Sequence, residues 1–204
     1  SSNVGTGREA LRVGAAGQQE FLKRIGLMDK VPTELPEVAR PILPKRWSDL
    51  VTVTVSFGHG MSVSPLATAM AACAVMNGGK LIPPTFFPRT EDQAKLVGKR
   101  VMKQSTSDQM RYLMRLNVVA PGGSGKSANI PGYRVGGKTG TAEKVVNGRY
   151  SANKRFNAFV ATFPIDDPKY LVLITLDEPN PERPGLPATA GMNAAPTAAN
   201  VIGR

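Results

Sequence analysis

The chain has 204 residues, 41% of them hydrophobic and 20% charged, enough for one domain with a real core or for most of a larger one. Its 26 Lys and Arg against 15 Asp and Glu give a net charge of +11, which suits an anionic neighbour such as nucleic acid, a phospholipid surface or an acidic cell-wall polymer. The basic residues are scattered, without an arginine-rich tract or an aromatic-interleaved stripe, so the pattern speaks against nucleic acid. A single cysteine, Cys73, and a single histidine, His59, exclude a Cys/His zinc site and any disulfide within the chain, and no apolar run approaches the roughly 20 residues of a membrane span.

In chain order, residues 7–26 predict a helix with Leu11, Val13, Phe21, Leu22 and Ile25 as apolar positions and Gly26 as C-cap. Residues 29–46, with Pro32, Pro36, Pro41 and Pro44, read as an irregular crossing loop. The alternation Leu50-Val51-Thr52-Val53-Thr54-Val55 suggests a strand, with a short helix as the alternative. Ser64-Pro65 opens a helix that Asn77-Gly78-Gly79 stops, with Cys73 expected in its buried face. Residues 80–88 look extended. Ser105-Thr106-Ser107-Asp108 resembles a capping box leading into a helix through Met110, Leu113, Met114 and Leu116. After a glycine-rich loop at 121–127 the period changes. Residues 133–146 are extended, Asn147-Gly148 signals a hairpin, Phe156 to Phe163 and Tyr170 to Leu176 are further strands, and an Ala-rich helix closes the chain from Ala194 to Ile202. Helices followed by an antiparallel meander predict an α+β fold, with 1–131 mainly helical and 132–204 forming the sheet and closing helix of one domain.

Lys138-Thr139-Gly140-Thr141 carries the most chemistry. A lysine ammonium and a threonine hydroxyl suit a substrate carboxylate. Gly140 lets a bound peptide lie close to the backbone, so that an extended substrate can be added as a strand. The Thr141 N–H could donate to an oxyanion. At the other end, Ser1-Ser2-Asn3 offers a hydroxyl that can relay a proton and an amide that can hold a carbonyl or a lysine. Each motif also has a plain alternative: an ordinary chain terminus for the first, a polar strand on a solvated face for the second. Ala120-Pro121-Gly122-Gly123-Ser124-Gly125-Lys126-Ser127 nearly spells a phosphate-binding loop, but Pro131-Gly132 follows too soon for a helix to present its N-terminus. His59, between two glycines and without a nucleophile elbow, reads as a loop histidine.

Longer stretches resemble class B penicillin-binding proteins of the FtsI type, the septal peptidoglycan transpeptidases. They are Ser1-Ser2-Asn3-Val4-Gly5; Lys45-Arg46-Trp47-Ser48-Asp49 with Ser56-Phe57-Gly58-His59-Gly60 and Ser64-Pro65-Leu66; Ala120-Pro121-Gly122-Gly123 through Ile130-Pro131-Gly132-Tyr133; Gly137 to Ala142; Asn147-Gly148-Arg149-Tyr150; and Asp177-Glu178-Pro179. The resemblance covers nearly the whole chain. It implies the transpeptidase and serine β-lactamase-like fold and a serine-type enzyme that needs no metal or cofactor. It also implies stem peptides ending in D-Ala-D-Ala as substrates, β-lactams as inhibitors, divisome membrane proteins as partners, and a place on the periplasmic face of the bacterial inner membrane.

By the same resemblance Ser1 and Asn3 take the second-motif roles. Lys138, Thr139 and Gly140 take those of the third, and Thr141 supplies the oxyanion N–H. The first motif, Ser-x-x-Lys with the acylated serine, is expected upstream, so that the chain lacks the N-terminal part of its own domain and is not itself acylated. Ser151-Ala152-Asn153-Lys154 spells that motif but follows the third one just after a hairpin, and is rejected. The segment from Asn180 to Gly191 departs from the family in having no aromatic residue. The rival expectation is a non-catalytic peptide- or partner-binding module of the same fold.

Overall fold

The capping residues of the sequence mark where several elements begin. The computed structural model describes residues 2–146, 149–181 and 188–204, and they form two compact units. The first holds residues up to Val75 together with Gly79–Lys103, the second Met76–Gly78 and Gln104–Arg204.

In the first unit, helix α1 spans Asn3–Arg24, with Ser2 as N-cap accepting a hydrogen bond from the Gly5 N–H at 3.1 Å. It is broken at Gly14, whose φ of 78° and ψ of 163° lie outside helical space. Residues 50–55 belong to a helix, α2 (Asp49–Ser56), and not to the strand their alternation suggests. Ser48 caps α2, accepting from the Val51 N–H at 3.3 Å, and Asp49 complements the dipole of its first turn. The hydroxyls of Thr52, Thr54 and Ser56 donate back to the carbonyls of Ser48, Val51 and Val53, so none is left unmet inside the helix. Thr52 and Val55, three apart, are the buried pair, which is a helical and not a strand period. Gln18 ties the helices together: its Nε2 donates to Thr52 O at 2.9 Å and its Oε1 accepts from Trp47 Nε1 at 3.0 Å.

Helix α3 (Pro65–Met76) follows, with Ser64 Oγ accepting from the Ala67 N–H as expected of an N-cap. Ile25, Ala71, Ala74 and Val101 form one core cluster of this unit, and Val31, Ala67 and Met70 another. Cys73, expected in the buried face, is exposed on α3. Strand β1 (Lys80–Leu81) pairs antiparallel with β2 (Lys99–Arg100). Between them lies α4 (Glu91–Val97), opened by a reciprocal capping box of Thr90 and Gln93.

The second unit begins with α5 (Gln104–Val119). The proposed capping box at 105–108 is not the helix start: Ser105 already lies in the first turn, and Ser107 is buried, its hydroxyl accepting from the Gly78 N–H at 3.0 Å. A sheet of order β3-β4-β5 follows, made of β3 (Gly136–Val146), β4 (Arg149–Phe163) and β5 (Tyr170–Asp177), antiparallel throughout. The expected turn residues Asn147 and Gly148 lie outside the described residues; Val146 and Arg149 pair on either side of them. Helix α6 (Ala194–Ile202) closes the chain.

Period-two alternation sorts the sheet into two faces. Phe159 and Ala161 of β4, with Val172, Ile174 and Leu176 of β5, turn to the face covered by Val118 of α5 and Ala194, Ala195, Ala198 and Ile202 of α6. The small residues of α6 let it lie close to this face. The fold is α+β, as expected. The compact units part at 103/104, ahead of the change from helix to sheet near residue 131, because α5 packs on β3.

Candidate functional site

The Lys-Thr-Gly-Thr stretch is the middle of β3, and β3 is an edge strand of its sheet: β4 lies on one side, and among the described residues no strand lies on the other. Its approach is shaped by packing. A Cβ at Gly136 would come within 2.4 Å of Ile165, and one at Gly137 within 2.5 Å of both Phe159 and the Val160 carbonyl, so the fold itself demands these glycines. Gly140 is different. A Cβ there would meet Ala158 at 3.9 Å, an ordinary contact, and Gly140 is exposed. Nothing within the unit requires a glycine at 140.

Lys138 and Gly140 face one side of the sheet, and Thr139 and Thr141 the other. Lys138 is half-buried. Its Nζ donates to the Thr139 carbonyl at 2.7 Å, and burial alone pulls its pKa below the ordinary lysine value. Thr139 pairs in register with Phe159, which places its hydroxyl beside the loop that follows α5, 2.6 Å from Ser124 Oγ. Ser124 is held in turn by Asn117 of α5. The Ser124 N–H and hydroxyl both lie within bonding distance of Asn117 Oδ1, at 3.2 and 3.1 Å, while Asn117 Nδ2 donates to the Gly137 carbonyl at 2.8 Å. Thr141 Oγ1 accepts from the Ala190 N–H at 3.0 Å, which leaves its hydroxyl hydrogen free to point outward.

Ser124, Thr139 and Thr141 border an open cleft of about 470 Å³ whose lining also includes Ser127, Thr189 and Lys126, with the Ser127 hydroxyl donating to the Gly191 carbonyl at 3.0 Å. Such a lining offers several hydrogen-bond donors within one concavity, the chemistry that suits a carboxylate. Ser124, Asn117, Ser127 and Thr189 were not singled out by the sequence reading. Ser124 and Ser127 lie in the stretch that mimics a phosphate-binding loop. No strand precedes that loop; α5 ends before it and a single 3-10 turn, Lys126–Ala128, follows, so the features of a phosphate-binding helix start are absent there.

The second motif is placed in part. Ser1 lies outside the described residues, Ser2 caps α1, and Asn3 is the exposed first residue of that helix, in the first unit. Ser151 and Lys154 lie on strand β4, at the register break opposite Glu143/Lys144 and not on a helix, so no helical turn brings the two side chains of this Ser-x-x-Lys together. Lys154 is engaged with Glu178 at 3.2 Å, and the same carboxylate takes Lys144 at 2.8 Å; the two lysines hold the Glu178 pKa down. His59 sits between Gly58 and Gly60, both at positive φ, its ring edge-on to Phe57 at 5.5 Å. Of the segment without an aromatic residue, 182–187 lie outside the described residues.

The geometry agrees with what the chain is similar to. A model of the penicillin binding protein transpeptidase domain matches residues 1–203. Over 213 aligned residues the chain is 43% identical to the probable peptidoglycan D,D-transpeptidase FtsI of Caulobacter vibrioides, covering all of this chain and 36% of that protein. Among solved structures, the apo transpeptidase domain of penicillin-binding protein 3 from Burkholderia pseudomallei superposes with a TM-score of 0.88 at 30% identity, over 99% of this chain and 60% of that one. Penicillin-binding protein 3 of Mycobacterium tuberculosis in complex with aztreonam gives a TM-score of 0.85 at 28% identity, over 99% and 48%. The chain thus spans about a third of the length of the curated relative it matches. With the edge strand, its Lys-Thr-Gly-Thr stretch and a family match from end to end, the chain belongs to the transpeptidase domain family of class B penicillin-binding proteins.

Proposed function

We propose that this chain is part of a peptidoglycan D,D-transpeptidase that cross-links stem peptides during septal cell-wall synthesis. The observation that carries the reading is Gly140: a glycine that internal packing does not require, on an edge strand, between a lysine and a hydroxyl-lined cleft. Its use is then to admit something from outside, and an extended peptide is what an open strand edge accepts.

In the proposed reaction a serine hydroxyl attacks the carbonyl of the penultimate D-Ala. The C–N bond to the terminal D-Ala breaks, that residue leaves as the free amine, and an acyl-enzyme remains. An acceptor amine of a second stem peptide then attacks the ester, forming the new amide and releasing the serine. The nucleophile is a Ser-x-x-Lys serine outside this sequence, since Ser151–Lys154 is unsuited on a strand. Lys138, Thr139 and Gly140 hold the substrate's terminal carboxylate and main chain, the Thr141 N–H contributes to the oxyanion hole, and Ser1 and Asn3 take the roles of the family's second motif. β-Lactams occupy the same place. A periplasmic position at the inner membrane and divisome partners follow from the same reading; among the described residues no helix is long and apolar enough to cross a membrane.

Labelling the intact parent protein with a fluorescent penicillin tests the proposal. Covalent label that survives denaturation, and is blocked by unlabelled benzylpenicillin, is the expected result. A folded parent protein that takes no label would leave only the non-catalytic binding module.

A further inference from the structure

Thr139 meets a difficulty in the role just proposed. To hold a carboxylate it must donate its single hydroxyl hydrogen to that ligand, so its oxygen can only accept from the protein. Among the described residues its hydroxyl meets Ser124 Oγ at 2.6 Å, and either hydroxyl can be the donor. Ser124 also has one hydrogen, and a second acceptor in reach: Asn117 Oδ1 at 3.1 Å. That acceptor is already supplied by the Ser124 N–H at 3.2 Å, so it can lose the hydroxyl without being left bare. The Asn117 amide is fixed in this orientation because its Nδ2 donates to the Gly137 carbonyl at 2.8 Å, one residue before Lys138.

The three groups therefore form a chain of hydrogen bonds with two directions. In one, Thr139 donates to Ser124 and Ser124 to Asn117. In the other, Ser124 donates to Thr139, and the Thr139 hydrogen is free for the cleft. Only hydroxyl rotation separates the two, with no covalent bond made or broken. An anion in the cleft favours the second, because it supplies an acceptor that the Thr139 hydrogen otherwise finds only in Ser124.

We infer that Ser124, held by Asn117, is a positioning residue that turns the Thr139 hydroxyl toward the carboxylate of the substrate or of a β-lactam. The inference rests on the transpeptidase reading above. Gly125, directly after Ser124, is buried, with Asn117, Phe159 and Val118 within 3.1 to 3.3 Å of where its Cβ would be, so the loop is pressed against the sheet and Ser124 has a defined place. Without Ser124 the Thr139 oxygen loses the group that could donate to it, and its hydrogen loses its only defined direction.

The test uses the intact parent enzyme and two probes, benzylpenicillin and its methyl ester, which differ in the charge of the carboxylate. The readout is the ratio of their second-order acylation constants. In Ser124→Ala the preference for the free acid is expected to fall about tenfold, the size of losing support for one charge-assisted hydrogen bond, while the ester constant changes less than about twofold. Ser124→Thr, which keeps the hydroxyl, is expected to retain the wild-type ratio. Ser124→Cys, similar in size but a weak donor, is expected to fall between and serves if the alanine variant does not fold. An unchanged ratio in Ser124→Ala or Ser124→Cys, an equal loss on both probes, or no retention by Ser124→Thr overturns the inference and leaves the transpeptidase reading standing. A wild-type enzyme acylated by neither probe overturns both.

Discussion

At Lys138, burial and the proposed role pull in opposite directions. Its surroundings lower its pKa, so the folded state releases this proton before the unfolded state does. Between the lowered pKa and the ordinary lysine value the unfolded chain therefore binds more protons, and stability rises with pH across that window. Below that window the lysine is charged in both states and its burial costs stability. Two outcomes follow. Lys138→Ala in the intact enzyme should slow acylation by benzylpenicillin roughly tenfold or more, since a charge-assisted hydrogen bond contributes about 1.5–3 kcal/mol, with little loss of melting temperature. Acylation by the wild type should decline on the alkaline side at a pH below that of an ordinary lysine, and the alanine variant should lack that limb. The neighbouring glycines divide in the same way. Gly137→Ala forces a Cβ against Phe159 and a backbone carbonyl, and should cost about 1–3 kcal/mol in chemical denaturation. Gly140→Ala should leave stability within about 0.5 kcal/mol, by its open surroundings, yet slow acylation. If Gly140→Ala destabilised as much as Gly137→Ala, internal packing would be the reason for that glycine after all. The sequence showed the Lys-Thr-Gly-Thr stretch directly, because its chemistry is consecutive. It did not show Ser124 or Asn117, because Ser124 lies 15 residues from Thr139 and the two meet only when α5 packs on β3.

Among the elements, legibility followed capping chemistry and burial. Ser64-Pro65 marked the start of α3, and the β-branched run of 170–176 marked β5, since in each a strong local signal agreed with the packing. Residues 50–55 form the short helix that stood only as the alternative, because valine alternating with threonine satisfies a strand pattern. The helix prevails through a cap at Ser48, hydroxyls turned back onto the backbone, and a seam with α1 fastened by Gln18. That seam makes a prediction. Gln18→Ala removes the acceptor of Trp47 Nε1 and the donor to Thr52 O together, and should destabilise by about 1–3 kcal/mol. Thermal or urea unfolding monitored by Trp47 fluorescence reads it. A change under about 0.5 kcal/mol would mean the helices are held by apolar contact alone. Helix α4 escaped notice for the opposite reason. Its Thr90-x-x-Gln93 box is legible, but no residue of the helix is buried, so no hydrophobic period accompanied it.

For the whole chain, the motif inventory makes the plainest prediction. The 204-residue chain alone should take no covalent label from a fluorescent penicillin, because its one Ser-x-x-Lys lies on a strand with its lysine paired to Glu178. A label that resisted denaturation would place a nucleophile within this sequence. The edge position of β3 has a further consequence. Main-chain hydrogen bonds along an open strand read direction but not sequence, and an extended segment could slide along them two residues at a time with its side chains facing as before. The regular ladder between β3 and β4 breaks at Glu143/Lys144, so the uniform stretch of edge is short. Within it, by the roles proposed for Lys138 and Thr139, an end group caught by their ammonium and hydroxyl is what fixes where a peptide stops. On the proposed reading the strand supplies the track and the terminal carboxylate the stop: a stem peptide amidated at its C-terminus should still lie along β3, but out of step with the serine that has to reach it.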